Sequence, residues 1–240
     1  MLRRFAAVVV MLVLAILGLV PAAQAQTYIA VSYWPASMNV ESGLGTWTTG
    51  FIVLDYSGVF RPPFGLRFTY ASGAQGNWGG PGWAGFTDAG TDTIWSVDLF
   101  WQRSTGNAVL RPFVGWGSMQ YSTDFSLIAS GTETFQISGF RVGAEMVIMS
   151  TGPVRFFGAI AYYPSVSQHF VDDTGAITDA SGAGTAFDYV IGAKFLPPGR
   201  NFGISAGWRG TSYTSNGCAG CIASVGYGWS GWFIGVSFHP

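Results

Sequence analysis

The chain has 240 residues, 49% of them hydrophobic, 16% aromatic and only 10% charged, with 35 glycines and a net charge of −1. An ordinary soluble domain carries roughly 25% charged residues, so this chain lacks the groups to wet a surface of its own size, yet it is too apolar for disorder. The near-zero charge points to no polyanionic partner such as nucleic acid, and beyond the first 25 residues no apolar run approaches the ~20 residues of a membrane helix.

The start reads MLRRFAAVVVMLVLAILGLVPAAQA. Two arginines precede an apolar run from Phe5 to Val20, then Pro21 and the small-residue site Ala23-Gln24-Ala25. That three-part pattern predicts a secretory signal peptide over 1–25, cleaved after Ala25, and an exported single domain over 26–240. Alternating apolar and polar positions then predict ten strands, at 27–34, 46–56, 64–71, 92–102, 108–119, 134–149, 153–163, 185–196, 200–211 and 228–238. Their connections alternate in length. Those at 57–63, 103–107, 150–152 and 197–199 are short; those at 35–45, 72–91, 120–133, 164–184 and 212–227 are long and rich in Gly, Ser and Thr.

In the segment from Thr93 to Trp116, Trp95, Val97, Leu99 and Trp101 form one row, and Leu110, Val114 and Trp116 continue it past the turn. The opposite row mixes Asp98 and Arg111 with Phe100, Phe113 and Gly115. The same split recurs at Leu66, Phe68 and Tyr70, at Phe187, Tyr189, Ile191, Ala193 and Phe195, and at Phe202, Ile204, Ala206 and Trp208. A secreted sandwich or soluble barrel would bury these rows and need a charged outer face that this composition does not supply. The pattern therefore predicts an all-β fold: a single antiparallel up-and-down transmembrane β-barrel of about ten strands, with eight as the alternative. In it the apolar rows face lipid, the mixed rows face the lumen, and the long loops lie outside. Only a closed sheet satisfies its backbone in hydrocarbon.

The lumen row carries nine charges: Asp55, Arg67, Asp98, Arg111, Arg141, Glu145, Asp188, Lys194 and Arg209. Counting outward from the short turns pairs Asp55 with Arg67, Asp98 with Arg111, and Asp188 with Arg209. Phe51, Phe100, Phe113, Phe157 and Phe233 also point inward. So do Gly115, Gly117, Gly139, Gly143, Gly192, Gly203, Gly207 and Gly235, which are expected to leave gaps. Ten strands enclose little more than a filled eight-stranded barrel. That excludes a wide porin and leaves open both a narrow pore for ions or a small solute and a plugged scaffold.

The long loops carry acids, at Glu41, Asp88, Asp124, Glu133, Asp172, Asp173 and Asp179, with Asp92 at a loop edge. The short turns carry Arg61, Arg103, Arg155 and Arg200. Solvation of the two rims explains this, and divalent cations bridging the acidic loops to outer-leaflet phosphates would also use it. Cys218 and Cys221 form a C-x-x-C in the fifth long loop. In an exported chain with no other cysteine they predict a local disulfide rather than a metal site.

With its signal peptide, alternating strands and aromatic last strand, the chain resembles the small, porin-like outer-membrane β-barrel proteins of Gram-negative bacteria. The resemblance implies that Trp232, Ile234, Val236 and Phe238 form the terminal strand read by the barrel-assembly machinery, although His239 and Pro240 extend past it. It also implies lipid partners that include lipopolysaccharide. Enzyme motifs are sparse. Gly226-x-Gly228-x-x-Gly231 runs from a loop into a strand and lacks the helix a dinucleotide fingerprint needs. Ser165 and Ser167 flank His169 without completing a Ser–His constellation. Asp88 and Asp92 in one loop, with His169, Asp172 and Asp173 in another, are similar to the acidic and Asp–His pairs of the omptin proteases, with altered spacing and strands that look too short for their tall barrel. The expectation is a non-enzymatic barrel without metal or cofactor. It acts as a narrow channel or as a scaffold presenting acidic loops to a small solute or an extracellular partner, with the omptin-like protease as the alternative.

Overall fold

The structure is a computed structural model that describes residues 27–40, 46–79, 90–125, 131–150, 152–171, 176–215 and 226–240. It is built of strands β1 (Tyr28–Val40), β2 (Thr46–Arg61), β3 (Phe64–Gly79), β4 (Gly90–Trp101), β5 (Arg103–Thr105), β6 (Ala108–Phe125), β7 (Gly131–Met149), β8 (Val154–Val171), β9 (Ile177–Phe195), β10 (Phe202–Ser215) and β11 (Tyr227–Phe238). Apart from β4 and β5, which do not pair with each other, each strand pairs antiparallel with its neighbours in sequence. The short β5 continues β4 past an interruption at Gln102, and both lie against β6. Pairing of β1 with β11 joins the chain ends. The sheet is thus a closed ring of ten strands, the all-β up-and-down barrel that the alternation predicts.

The expected strand ends at the short turns hold to within a few residues, but most of the other ends do not. Strand β3 continues to Gly79 rather than stopping at 71, β6 reaches Phe125, β8 reaches Val171 and β9 begins at Ile177. The reason is a change of solvent along each strand. Near the short turns the outward side chains are apolar and exposed, as at Phe64, Leu66, Val97, Leu99, Trp101, Ile204, Trp208, Ile234 and Val236. This band runs from Phe202 to Trp208 on β10, about 20 Å along a strand at ~3.4 Å per residue. Beyond it the outward positions turn polar and exposed, at Ser37, Asn39, Thr46, Thr48, Thr91, Ser167, Ser212 and Thr214. Their inward neighbours become an ordinary hydrophobic core that includes Trp34, Met38, Trp47, Phe51, Ile94, Met119, Phe135, Ile137, Val166, Tyr213 and Trp229. One half of the barrel is inside out and the other is not. A search for a single apolar-out row ends where the polarity flips, so it cuts most strands short and makes the barrel look too low.

The inward glycines do not leave gaps. Gly65 faces Phe100, Gly143 faces Phe113, Gly192 faces Phe157 and Gly207 faces Phe233 in the cross-strand register. In each pair the ring lies over the glycine, so that an added Cβ would meet a ring atom at 2.1, 2.4, 2.8 and 2.9 Å respectively. The missing side chain makes room for a flat aromatic.

Candidate functional site: the charged lumen

At the level of the apolar band the lumen is lined by charge. Asp188 accepts from Arg141 at 2.6 Å, Arg141 reaches Asp98 at 2.7 Å, and Asp98 takes Arg67 at 2.7 Å. Arg67 then touches Glu145 at 3.2 Å, and Glu145 holds Arg111 at 2.9 Å. Charges alternate along this chain, as isolated ions in a narrow lumen require. Asp55 and Arg209 form a separate pair at 2.8 Å. Asp98 is wholly buried, and two arginines clamp it: Arg67 donates through Nε at 2.9 Å, and Arg141 through Nε and Nη2 at 2.7 Å each. Aromatic faces complete the support. The Arg67 guanidinium lies 4.0 Å from the Phe113 ring centre and Arg111 lies 5.0 Å from that of Phe100. Gly143 and Gly65 let these two rings lie flat, so the glycines position the arginines at one remove.

All nine lumen charges read from the sequence sit on the inner wall, but the three expected pairs do not form. Asp98 stands opposite Gly115, with Arg67 on its other side. Arg111 stands opposite Glu145. Asp188 stands opposite Thr211, and Asp55 opposite Thr69. The turn centres cause the difference. The β5–β6 turn is the two-residue Gly106-Asn107, with Gly106 at φ +54, so Thr105 pairs with Ala108. This centre lies beyond the midpoint of an Asp98–Arg111 pair, and the other two centres lie one residue beyond the midpoints of Asp188–Arg209 and Asp55–Arg67. Each displacement moves the pairing by an even number of residues, which keeps the face and changes the partner. Arg155, expected at a turn, also lines the lumen; it has the same parity as inward Phe157.

Above the charges the lumen is filled. Tyr121 on β6 and Tyr227 on β11 stand on opposite sides of the ten-strand ring, and their ring centres are 5.8 Å apart. Phe135 touches Tyr227 at 5.3 Å and Tyr213 at 6.1 Å, and Trp47 meets Tyr121 at 6.0 Å. Within this plug lies Asp92, wholly buried rather than at a loop edge. It accepts from Trp229 Nε1 at 3.0 Å, Trp47 Nε1 at 3.3 Å, Gln75 Nε2 at 2.6 Å and the Thr49 hydroxyl. Four neutral donors replace the water it would otherwise need. Below the plug a cavity of about 270 Å³ runs from Trp34 and Ile94 to Tyr28, Arg155 and His239 at the short-turn end.

Of the omptin-like constellation, the two described residues, Asp92 and His169, are not brought together. Asp92 points inward, whereas Val166 and Gln168 take the inward positions of β8, so His169 points outward and bonds Asp179. The barrel wall separates the two residues. Asp88, Asp172, Asp173, the cysteines Cys218 and Cys221 and the signal segment 1–25 lie outside the described residues. Ser165 and Ser167 are exposed on the outer face. Just past β11, His239 is pushed down to about 4 by burial and by the nearby Lys194 and Arg155 cations.

The fold and the apolar band define an outer-membrane β-barrel. Among solved structures, the chain is similar to the outer-membrane protease OmpT from Escherichia coli, with a TM-score of 0.50 and 9% identity over 91% of this chain and 99% of that one. It is also similar to the translocator domain of the autotransporter NalP from Neisseria meningitidis, with a TM-score of 0.52 and 12% identity over 98% and 96%. At such identities the likeness extends to the fold alone. No protein-family model and no curated protein matches the sequence.

Proposed function

We propose that the protein is an integral outer-membrane barrel, non-enzymatic and closed toward the long-loop side. It works as a rigid scaffold with a blind charged vestibule rather than as a standing pore. The observation that carries this reading is the contact of Tyr121 with Tyr227 across the full diameter. A pore at that level would have to move several packed rings at once. The outward partner is lipid around the apolar band, with the long-loop end and its acids in the outer aqueous phase. Trp232, Ile234, Val236 and Phe238 then serve as the terminal strand for assembly. Passage of a small solute is the second reading, favoured by the 270 Å³ cavity at membrane depth, and it requires the plug to open. Planar-bilayer recording separates them. The native barrel is expected to give no steady current, and Tyr121→Ala with Tyr227→Ala to give one. A steady ohmic current from the native protein, unchanged in the double variant, overturns the closed-barrel reading.

A further inference from the structure

Two cations at the short-turn end of the cavity have no acid of their own. Arg155 on β8 and Lys194 on β9 are direct cross-strand partners, and both line the cavity. Like charges directly opposite on neighbouring strands repel. Among the described residues neither makes an ion pair. Lys194 Nζ instead lies 4.1 Å from the centre of the Tyr28 ring. The carboxylates that line the cavity with them are already engaged: Glu145 by Arg67 and Arg111, Asp55 by Arg209 and Thr69, and Asp188 by Arg141.

The inventory makes the same point. Asp55, Asp98, Glu145 and Asp188 balance Arg67, Arg111, Arg141 and Arg209 in the ion pairs described above, so the lumen at this level retains a surplus of Arg155 and Lys194. His239 is beside them. Its ring lies 5.8 Å from that of Tyr28, and its protonation is held down first by burial and then by the Lys194 and Arg155 cations. A second group in the cavity is also unmet. Trp34, buried and six residues further along β1 than Tyr28, has an indole N–H with no acceptor. A structure gains nothing from holding two facing cations and an orphan donor around one cavity unless something in the cavity meets them.

We propose that this mouth is an oxyanion-binding site, with the Arg155 fork and the Lys194 ammonium gripping the phosphate or carboxylate of a small soluble molecule that enters from the short-turn side. The planar guanidinium suits two oxygens of one group, and the ammonium supplies the point charge beside it. Tyr28 shields the Lys194 side. The cavity volume limits the guest to a small molecule, with the Trp34 N–H left for an acceptor carried deeper inside. The proposal rests on the blind-vestibule reading for its route of entry, but not for the grip itself.

The test is thermal unfolding of the detergent-solubilised full barrel, followed by the gel-mobility shift on heating. Inorganic phosphate or acetate is titrated at constant ionic strength against sodium chloride. A ligand that binds only the folded state raises the midpoint in a saturable way. The native protein is expected to gain several degrees with at least one of the two anions. Arg155→Gln with Lys194→Gln should lose that gain and should start from a higher midpoint without anion, because the repulsion is gone. Arg155→Lys, which keeps the charge but not the fork, should keep a smaller saturable gain, which separates loss of binding from damage to the fold. An equal response in native and doubly substituted barrels, or no saturable response to either anion, overturns the site. Bilayer current reports on the closed barrel independently, so one reading fails without the other.

Discussion

Removing the Asp98 charge should unlock the lumen more than any other single change. In Asp98→Asn the shape is kept, but Arg67 and Arg141 lose the carboxylate that both clamp, at 2.7 Å each. Two unit charges ~4 Å apart at an effective dielectric of ~20 attract by roughly 4 kcal/mol. Desolvation already offsets most of that in the native state, and breaking a buried pair from one side costs about 3–5 kcal/mol. At roughly 2–4 °C per kcal/mol for a chain of 150–250 residues, the heat-modifiable gel shift should fall by about 6–20 °C. Partner identity is tested by double-mutant cycles on urea unfolding in detergent. Asp98→Asn with Arg141→Gln should show coupling above ~1 kcal/mol, whereas Asp98→Asn with Arg111→Gln, three links apart, should be additive within ~0.5 kcal/mol. A drop below ~1 kcal/mol for Asp98→Asn, or the stronger coupling falling to Arg111, would refute the clamp and the register behind it.

Gly143→Ala places a Cβ 2.1 Å from the Ile160 carbonyl oxygen and 2.4 Å from Phe113 Cζ. It should cost about 1–3 kcal/mol by overpacking, while Gly76→Ala, with nothing within 4 Å, should be silent in the same melt; equal effects would sink the ring-over-glycine account. His239, with a folded value of about 4 against 6.5 unfolded, makes the unfolded chain bind a proton first. Stability should therefore fall as the pH drops from about 6.5 toward about 4, and His239→Gln should remove that part of the slope; identical pH profiles would contradict it.

How much was legible in the sequence depends on the length scale of the interaction concerned. Strand number and face are local properties: a period of two in side-chain polarity marks both, and Trp95, Val97, Leu99 and Trp101 declare their side without reference to any other strand. The nine lumen charges were placed on the inner wall for the same reason. Their partners were not readable, because a turn centre misplaced by one residue preserves the face and exchanges the neighbour, and Gly106 shows its positive φ only in the folded turn. Arg67 and Glu145 are 78 positions apart, and no hairpin count brings them together. The plug was hidden for a different reason. Trp47, Tyr121 and Phe135 alternate with Ser, Thr and Gln as in any soluble sheet, Tyr227 stands between two glycines, and only closure of the ring sends all four to one axis. Local alternation thus determined which residues face inward. The tertiary structure decided what they meet there, since contacts across a barrel are set by register summed over ten strands, and each strand adds a shift that its own residues do not encode.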